Sequence, residues 1–509
     1  MQLKDIRQAD VVVVGAGNAA LCAALGAQDA GANPVVLETA PRAERGGNTF
    51  FVAGSTRWVF NNMDDVREVL DLSEEELRTV DFGTYSREDF LEDMGRVTQY
   101  RCDPDLTEIL VDDARPTLVW MKTKGIRFEP MYKGQSQKID GRVKFFGGQV
   151  CNFWGGGPEL SPGLFRAVEK AGIPVLYETT ATSLLYEHGK VAGVVAEADG
   201  EKGEIRSRAV VLACGGFESN AEMRARYLGP GYDLAKVRGT QYNNGAGIRM
   251  ALDIGAMPAG HWSGAHAVGW DRNAPAFGDR AVGDGFQKHS YTFSIMVNAR
   301  GERFVDEGAD FRNFTYAKYG HVVQQQPGMF AWQVFDQKVE HLLRDEYRIR
   351  QVTKVVANSI GELAGKLDGV DAGGFLATVA EYNKAVQQRI PFSPVVKDGR
   401  GTAGLKISKS NWANTIDTPP FQAYAVTCGV TFTFGGVKIS PDTNVQNVGG
   451  RNIPGLYAAG EMVGGLFYFN YPSGSGLVSG AVFGRLAGTS AARYARESVH
   501  AARGNGPRS

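Results

Sequence analysis

Hydrophobic and polar positions change their rhythm several times along the chain. Residues Asp10 to Val14 are a run of valines behind an acid, which predicts a short strand buried on both faces. Small and apolar residues from Leu21 to Ala30 predict a helix that stops at Gly31, and Pro34 to Leu37 a second buried strand closed by Glu38. From about Met63 to Lys124 the spacing is helical with charged outer positions, and Ser73 to Leu77 marks a helix start by its acidic first turn. Val175 to Tyr186 and Val191 to Ala196 predict a small antiparallel meander, and Ala209 to Ala213 a buried strand running into Cys214-Gly215-Gly216-Phe217. Between roughly Leu252 and Cys428, loops rich in aromatic and histidine side chains reach Ala331, and amphipathic helices follow around Ile360 to Gln388. Gly-rich strands return from Gly429, a helix covers Val478 to Glu497, and the tail HAARGNGPRS predicts disorder.

At 509 residues the chain exceeds one simple core, so two domains are expected. Lys plus Arg (55) balance Asp plus Glu (56), and no basic run stands out, which argues against nucleic acid or an anionic membrane as partner. The first nine residues hold no apolar core and no apolar run is long enough to span a bilayer, so a cytoplasmic location is expected. Five cysteines (Cys22, Cys102, Cys151, Cys214 and Cys428) lie far apart without metal or haem spacing, so no metal site is expected. Glycine is abundant, at 65 residues, and clusters where backbone must pass close to a ligand.

The clearest cluster is Gly15-Ala16-Gly17-Asn18-Ala19-Ala20 between the first strand and helix. A tight turn, close approach to a pyrophosphate and close helix packing all require small residues there, and the helix N-terminus receives the anion. Glu38, at the end of the next strand, is placed for ribose hydroxyls. Gly46-Gly47-Asn48-Thr49, with Ala53 and Gly54 after it, forms a loop that can lie against a flavin. Ala213 and Gly215 end a strand on the nucleotide side. Tyr457-Ala458-Ala459-Gly460-Glu461 ends another strand with an acid that can take a ribityl hydroxyl, and Ser475-Gly476-Leu477 opens the last helix. Together these segments predict FAD. The expected fold class is α/β: a Rossmann-like FAD-binding domain in two stretches, 1–251 and 429–509, with an inserted α+β capping domain, 252–428, that takes the substrate.

In this order and across nearly the whole chain, these segments resemble the fumarate reductase and succinate dehydrogenase flavoprotein superfamily. The segments NNGAGIRMALDIGA, NAPAFGDRAVGDGFQKHS, MVNARGERFVDEGADFRNFTYAKYG and GGLFYFNYPSGSGLVSGAVFGRLAG are similar to the FAD-dependent tricarballylate dehydrogenases within it. The resemblance implies oxidation of a saturated carboxylic acid to its alkene, or an enoate reductase running the other way. It also implies a non-covalent FAD, because succinate dehydrogenases of the superfamily attach the flavin through a histidine near the Gly-Gly segment and residues 45–60 contain none. A flavin-binding electron-transfer subunit without chemistry is the reading of a different class.

Removing two hydrogens from adjacent carbons needs a hydride acceptor, an acid/base group and donors for charge developing on the activating carbonyl. Arg312 falls where the superfamily's proton-shuttling arginine follows Arg303-Phe304-Val305-Asp306-Glu307, with Glu307 or Asp310 as its relay. His261 and His266 lie near the superfamily's substrate-carboxylate histidine, and His289 sits in a similar loop. Departures are equally informative. Where fumarate reductases carry a histidine before Gly-Gly and an arginine before the last Gly-rich loop, this chain has Thr431 to Gly436 and Asn470-Tyr471-Pro472-Ser473-Gly474, and Ala246 replaces the usual aspartate of the substrate-side Gly loop. Phe432, Phe434, Phe467, Tyr468, Phe469 and Tyr471, with Phe51 near the flavin loop, point to a more apolar or cyclic substrate. Ser473 and Gly474 complete a Tyr-Pro-Ser-Gly element similar to the Tyr-Pro-Gly of ketosteroid and cyclic-ketone dehydrogenases, which implies that Tyr471 polarises a ketone. Electrons must leave to oxygen, a quinone or a separate iron–sulfur or other redox protein.

Overall fold

The structure is a computed structural model and describes residues 3–6, 8–139 and 141–504. Fourteen strands build its two main sheets. In chain order they are β1 (Gln8–Val14), β2 (Pro34–Leu37), β3 (Val175–Leu176), β4 (Thr180–Glu187), β5 (Lys190–Ala198), β6 (Glu201–Leu212) and β7 (Lys236–Val237). They continue with β8 (Pro258–Asp271), β9 (Ile295–Val297), β10 (Phe330–Phe335), β11 (Lys354–Ala357), β12 (Phe421–Val437), β13 (Asn444–Gln446) and β14 (Asn452–Ala458). The helices used below are α1 (Asn18–Asp29), α2 (Tyr316–Gln324), α3 (Ala372–Ala385) and α4 (Ser475–Gly504).

The described residues fall into two compact units. One holds the residues up to Gly229, Gly239–Ala265 and the chain from Phe432 onward; the other holds Pro230–Arg238 and His266–Thr431. In the first unit the sheet runs β13-β14-β6-β1-β2-β3, with β5 on β6 and β4 on β5. β1 is central and parallel to both neighbours, Val13 facing Val211 in β6 and Val36 in β2. Its valines, Val11 to Val14, are buried, as a parallel strand covered on both faces requires. β14 is also parallel to β6, so the turns after β1, β2, β6 and β14 leave one edge of the sheet.

Helices α1 and α4 approach to backbone distance. A Cβ on Gly26 would stand 2.7 Å from the Arg485 carbonyl oxygen, one on Gly484 2.3 Å from that of Ala19, and one on Gly488 1.9 Å from that of Ala23. Any larger residue there forces the pair apart.

Several expectations are corrected. Val175–Leu176 joins the main sheet, parallel to β2, instead of the meander of β4, β5 and β6, because it is the return strand of a crossover through the helix Gly157–Lys170. The inserted segment begins later than residue 252. Residues 252–265 stay with the first unit, where the Met257 amide donates to the Gln446 carbonyl. Residues 230–238 join the second because β7 pairs with β12 at Gly429 and Val430. The segment of β8 is an extended strand and not a loop; its small residues and histidines hid the alternation. His500–Gly504 continue α4, and residues 505–509 of the expected disordered tail lie outside the described residues.

In the second unit β12 is the spine. It pairs with β7, β8, β10 and β11, and β9 pairs with β10. α3 packs Phe375, Val379 and Tyr382 on a core that includes Val297, Trp332 and Val334. No helix among the described residues is long and apolar enough to cross a membrane.

Candidate functional site

In the first unit the turn after β1 has the form a dinucleotide demands. Gly15 takes φ +104°, and a Cβ there would stand 2.5 Å from the Ala213 carbonyl oxygen. Gly17 is the N-cap of α1 and has no side chain to cover the positive end of the helix, and the Asn18 amide donates to Thr49 Oγ1 at 2.8 Å. Asn18 Nδ2 donates to the Leu477 carbonyl at 2.8 Å, tying this turn to the start of α4. Gly460 adds the same tightness, since its Cβ would stand 2.8 Å from that of Ala19.

Glu38 is buried at the end of β2, where its Oε1 accepts from the Ala40 amide at 2.7 Å. Burial pushes its carboxyl up to about 7, against the pull of the Ala40, Ala16 and Thr39 amides. A raised folded-state value means that the stability this group contributes is fully present below the ordinary carboxylate range and is lost as pH rises through about 7. A ribose diol offers donors, which an ionised Glu38 accepts. The affinity of the apoprotein for FAD is therefore expected to rise between pH 6 and pH 8, and Glu38→Gln to bind more weakly with a flat profile. Flavin fluorescence titration measures both, and a Glu38→Gln profile parallel to wild type would refute the assignment.

The second loop, Gly46–Thr49, is equally constrained. Gly46 takes φ +107° and its Cβ would fall 2.2 Å from Ser161 Oγ. Asn48 Nδ2 donates to Glu218 Oε1 at 2.7 Å, and Asn48 Oδ1 accepts from the Thr240 amide at 2.9 Å. Ala53 leads into Gly54, whose carbonyl accepts from the Phe153 amide. After β6, Ala213 keeps the sheet pairing through its amide to the Val14 carbonyl, and Gly215 and Gly216 lie against Asn243 and Glu461. Glu461 Oε1 accepts from the Thr433 amide at 2.7 Å. A helix N-terminus behind a glycine turn, a buried acid at the end of the next strand and glycine-lined backbone suit an FAD. Glu218 and Asn243 in this group escaped the sequence reading.

The aromatic candidates of this unit do come together. Phe432 packs edge-on against Phe434, Phe467 and Tyr471 at 5.4–5.9 Å between ring centres. His261 lies 4.7 Å from Phe469, and its Nδ1 accepts from the Phe469 amide at 3.0 Å, which holds this residue at φ +61°. Phe51 is buried against Phe50. Gly474 is needed because a Cβ would meet the Thr56 backbone at 2.7 Å. The Ser473 carbonyl accepts from Nε of Arg57, a fully buried residue whose Nη1 also reaches Tyr85 (2.6 Å) and Asp93 (3.0 Å). Arg57 thus holds the Tyr471 loop. Sequence carried no signal for it beyond a lone arginine near the flavin loop.

The second unit carries a separate cluster. His266 and His289, 0 % and 2 % exposed, stand edge-on to Tyr316 at 5.0 and 4.8 Å, and Arg312 lies over the same ring at 5.6 Å. Burial, with Arg238 nearby, holds His266 well below the usual imidazole range; burial followed by Arg312 does the same for His289. Both imidazoles are therefore neutral. Both ring nitrogens of His289 and Nη2 of Arg312 are buried and meet no hydrogen-bond partner among the described residues. Burial, then the charge of Arg344, brings the Arg312 guanidinium down to about 10. Arg238 is bidentate on Asp284 at 2.6 and 2.7 Å. The expected relay through Glu307 is corrected. Its carboxylate is committed to Arg303 (2.6 and 3.1 Å) and to the Met296 amide (2.8 Å), a structural pairing.

A family model described as an FAD binding domain matches residues 10–478. A probable fumarate reductase of Shewanella frigidimarina is 28% identical over 95% of this chain and 75% of its own. A 3-oxosteroid 1-dehydrogenase of Mycobacterium tuberculosis is 29% identical over 69% of this chain and 66% of its own. Among solved structures, the open conformation of a flavocytochrome c3 fumarate reductase superposes with a TM-score of 0.71 at 26% identity, over 96% of this chain and 79% of that one. The glycine turns, the buried acid at the end of β2 and these likenesses agree: the chain is an FAD-dependent oxidoreductase and belongs to the FAD binding domain family of the fumarate reductase and succinate dehydrogenase flavoproteins.

Proposed function

We propose that the chain oxidises a saturated carboxylic acid, tricarballylate-like or a cyclic keto acid, by removing two hydrogens from the carbon–carbon bond beside its carbonyl group. The observation that carries this reading is the cluster of the second unit. A guanidinium nitrogen of Arg312 and both imidazole nitrogens of His289 are buried there with no partner among the described residues, next to Arg238 and Arg344. Leaving such groups unmet is costly, and a carboxylate matches the fork of an arginine. A bound FAD would supply the hydride acceptor for this oxidation.

Arg312 takes the proton from the neighbouring carbon. Its lowered pKa makes that transfer cheaper than for an arginine in water. Asp310, two residues away and partly exposed, passes the proton to solvent in place of Glu307. Neutral His266 and His289 orient the carboxylate by donating to it. In the first unit Tyr471, buried beside Phe432 and Phe467, is assigned the polarisation of a ketone where the substrate has one. Electrons leave to oxygen, a quinone or a separate redox protein.

A reductase reading is favoured by the names of the relatives, since the same residues deliver a proton in the opposite direction. Anaerobic mixing of the yellow protein with tricarballylate, succinate, cyclic keto acids and cyclic ketones decides between them. Bleaching of oxidised flavin by an acid but not by a plain ketone is expected. No bleaching, with reoxidation of pre-reduced flavin by an unsaturated acid, would make the chain a reductase; bleaching by plain ketones alone would move the activating group to Tyr471.

A further inference from the structure

Two carboxyl groups of the first unit face each other with nothing between them to share. Glu218 is fully buried, and its Oε1 accepts from Asn243 Nδ2 at 2.6 Å and from Asn48 Nδ2 at 2.7 Å. Its other oxygen, Oε2, is buried and meets no donor among the described residues. Glu461 is partly exposed as a residue, yet its carboxyl lies among Gly216, Thr433 and Glu218. Its Oε1 accepts from the Thr433 amide at 2.7 Å and hydroxyl at 3.3 Å. Glu218 and Glu461 are within hydrogen-bond reach of each other. Ionised carboxylates only accept, so a bond between them requires one proton.

We propose that Glu218 and Glu461 hold a single proton between them, and that this O–H···O bridge is the clasp that fixes the segments Gly46–Thr49, Gly239–Asn243 and Gly460–Glu461 around the FAD. Glu218 takes two side-chain amide hydrogens at 2.6 and 2.7 Å, while Glu461 takes one short bond from the Thr433 amide and a longer one from its hydroxyl. Burial and the neighbouring Glu218 favour the neutral form of Glu461, so the proton resides there. The groups facing the pair from every side are the neutral Asn48, Asn243 and Thr433 and the backbone at Gly216. The nearest cation on the same loop, Arg224, directs Nη1 to the Glu218 backbone carbonyl at 2.5 Å. Little room exists for a different arrangement, since a Cβ on Gly216 would stand 2.2 Å from Glu461 Oε1 and 2.3 Å from Thr433 Oγ1.

Loss of water around the carboxyls, followed by the charge of Glu218, raises Glu461 well above the usual carboxylate range. The stabilisation given by the bridge is then complete in acid and is lost as pH rises through the raised value. In Glu461→Gln the amide supplies the hydrogen permanently. This variant should keep the clasp and lose its pH dependence.

The test uses the FAD-loaded protein with carbon-13 in its glutamate carboxyls. Infrared spectra at neutral pH should contain, beside any contribution of Glu38, a protonated-carboxyl stretch in wild type that disappears in both Glu461→Gln and Glu218→Gln. Thermal midpoints of wild type should fall relative to Glu461→Gln as pH rises from 6 to 9. Glu218→Ala, which strands three donors, should weaken FAD retention at least about tenfold, while Glu218→Gln retains it. No wild-type stretch that disappears in both variants, or parallel pH profiles, would overturn the shared proton. Equal FAD loss in Glu218→Ala and Glu218→Gln would overturn the clasp. Should Glu461→Gln not fold, Glu218→Gln carries the same comparison.

Discussion

Arg312→Ala is expected to lower the rate of flavin reduction by substrate by about 10²–10⁴-fold, the usual worth of a positioned proton-transfer group, while the protein stays yellow. The two halves of this expectation have separate physical origins. Arg312 opens a short turn before α2 and is not among the residues assigned to FAD, so the variant is expected to keep its cofactor. The rate falls because the side chain is given two tasks, an acceptor for the carbon-bound proton and a fork for the carboxylate. Arg312→Lys keeps a charge but not the fork, and should restore only a small part of the activity, with a raised KM. In wild type, oxidation should quicken as pH approaches about 10, because a base must shed its own proton first. Stopped-flow reduction across pH checks all three. An Arg312→Ala enzyme within tenfold of wild type would remove Arg312 from the chemistry.

Gly15→Ala is expected to yield colourless protein. A backbone at φ +104° is strained for any residue with a Cβ, at roughly 1–2 kcal/mol, and this Cβ would also sit 2.5 Å from the Ala213 carbonyl oxygen, where something has to move. Whatever moves is part of the site: either the turn itself or the end of β6. Gly361→Ala is the matching control. Gly361 lies in the helix Ile360–Lys366 with nothing within 4 Å of its Cβ position, and alanine there should be neutral or slightly stabilising. Flavin content per chain and thermal midpoints of the two variants provide the comparison, and a fully yellow Gly15→Ala protein would contradict the close-approach argument.

Legibility of the site followed the locality of its causes. Val11 to Val14 and the Gly15 turn could be read directly, because burial on both faces and a positive φ are demands made within a few residues. Glu38 was legible for the same reason, as the last residue of the adjoining strand. Glu218 and Asn243 were not, since an acid and an amide 25 positions apart obey no spacing rule until β6 and the returning chain bring them together. Arg303 and Glu307 show the reverse. Their four-residue separation is ordinary for an ion pair, and attention to the chemistry of Glu307 passed over its simplest partner. The histidines illustrate how one strand divides its residues. His261 and His266 both lie on β8, yet the first stacks with Phe469 in one unit and the second meets Tyr316 in the other. β8 itself was read as loop, because small residues gave no alternation to detect.

The glycine-seated contact of α4 on α1 sets an order of events during synthesis. Asn18 and the Leu477 carbonyl that it grips are 459 positions apart, and Glu461 and β14 also come late in the chain. A ribosome must therefore emit the chain past Leu477 before the nucleotide pocket has all its walls, and long-range closure of this kind is slow. Flavin capture is then a late event: chains that stop before Leu477 remain colourless, so yellow colour reports that the first strand and the last helix have met.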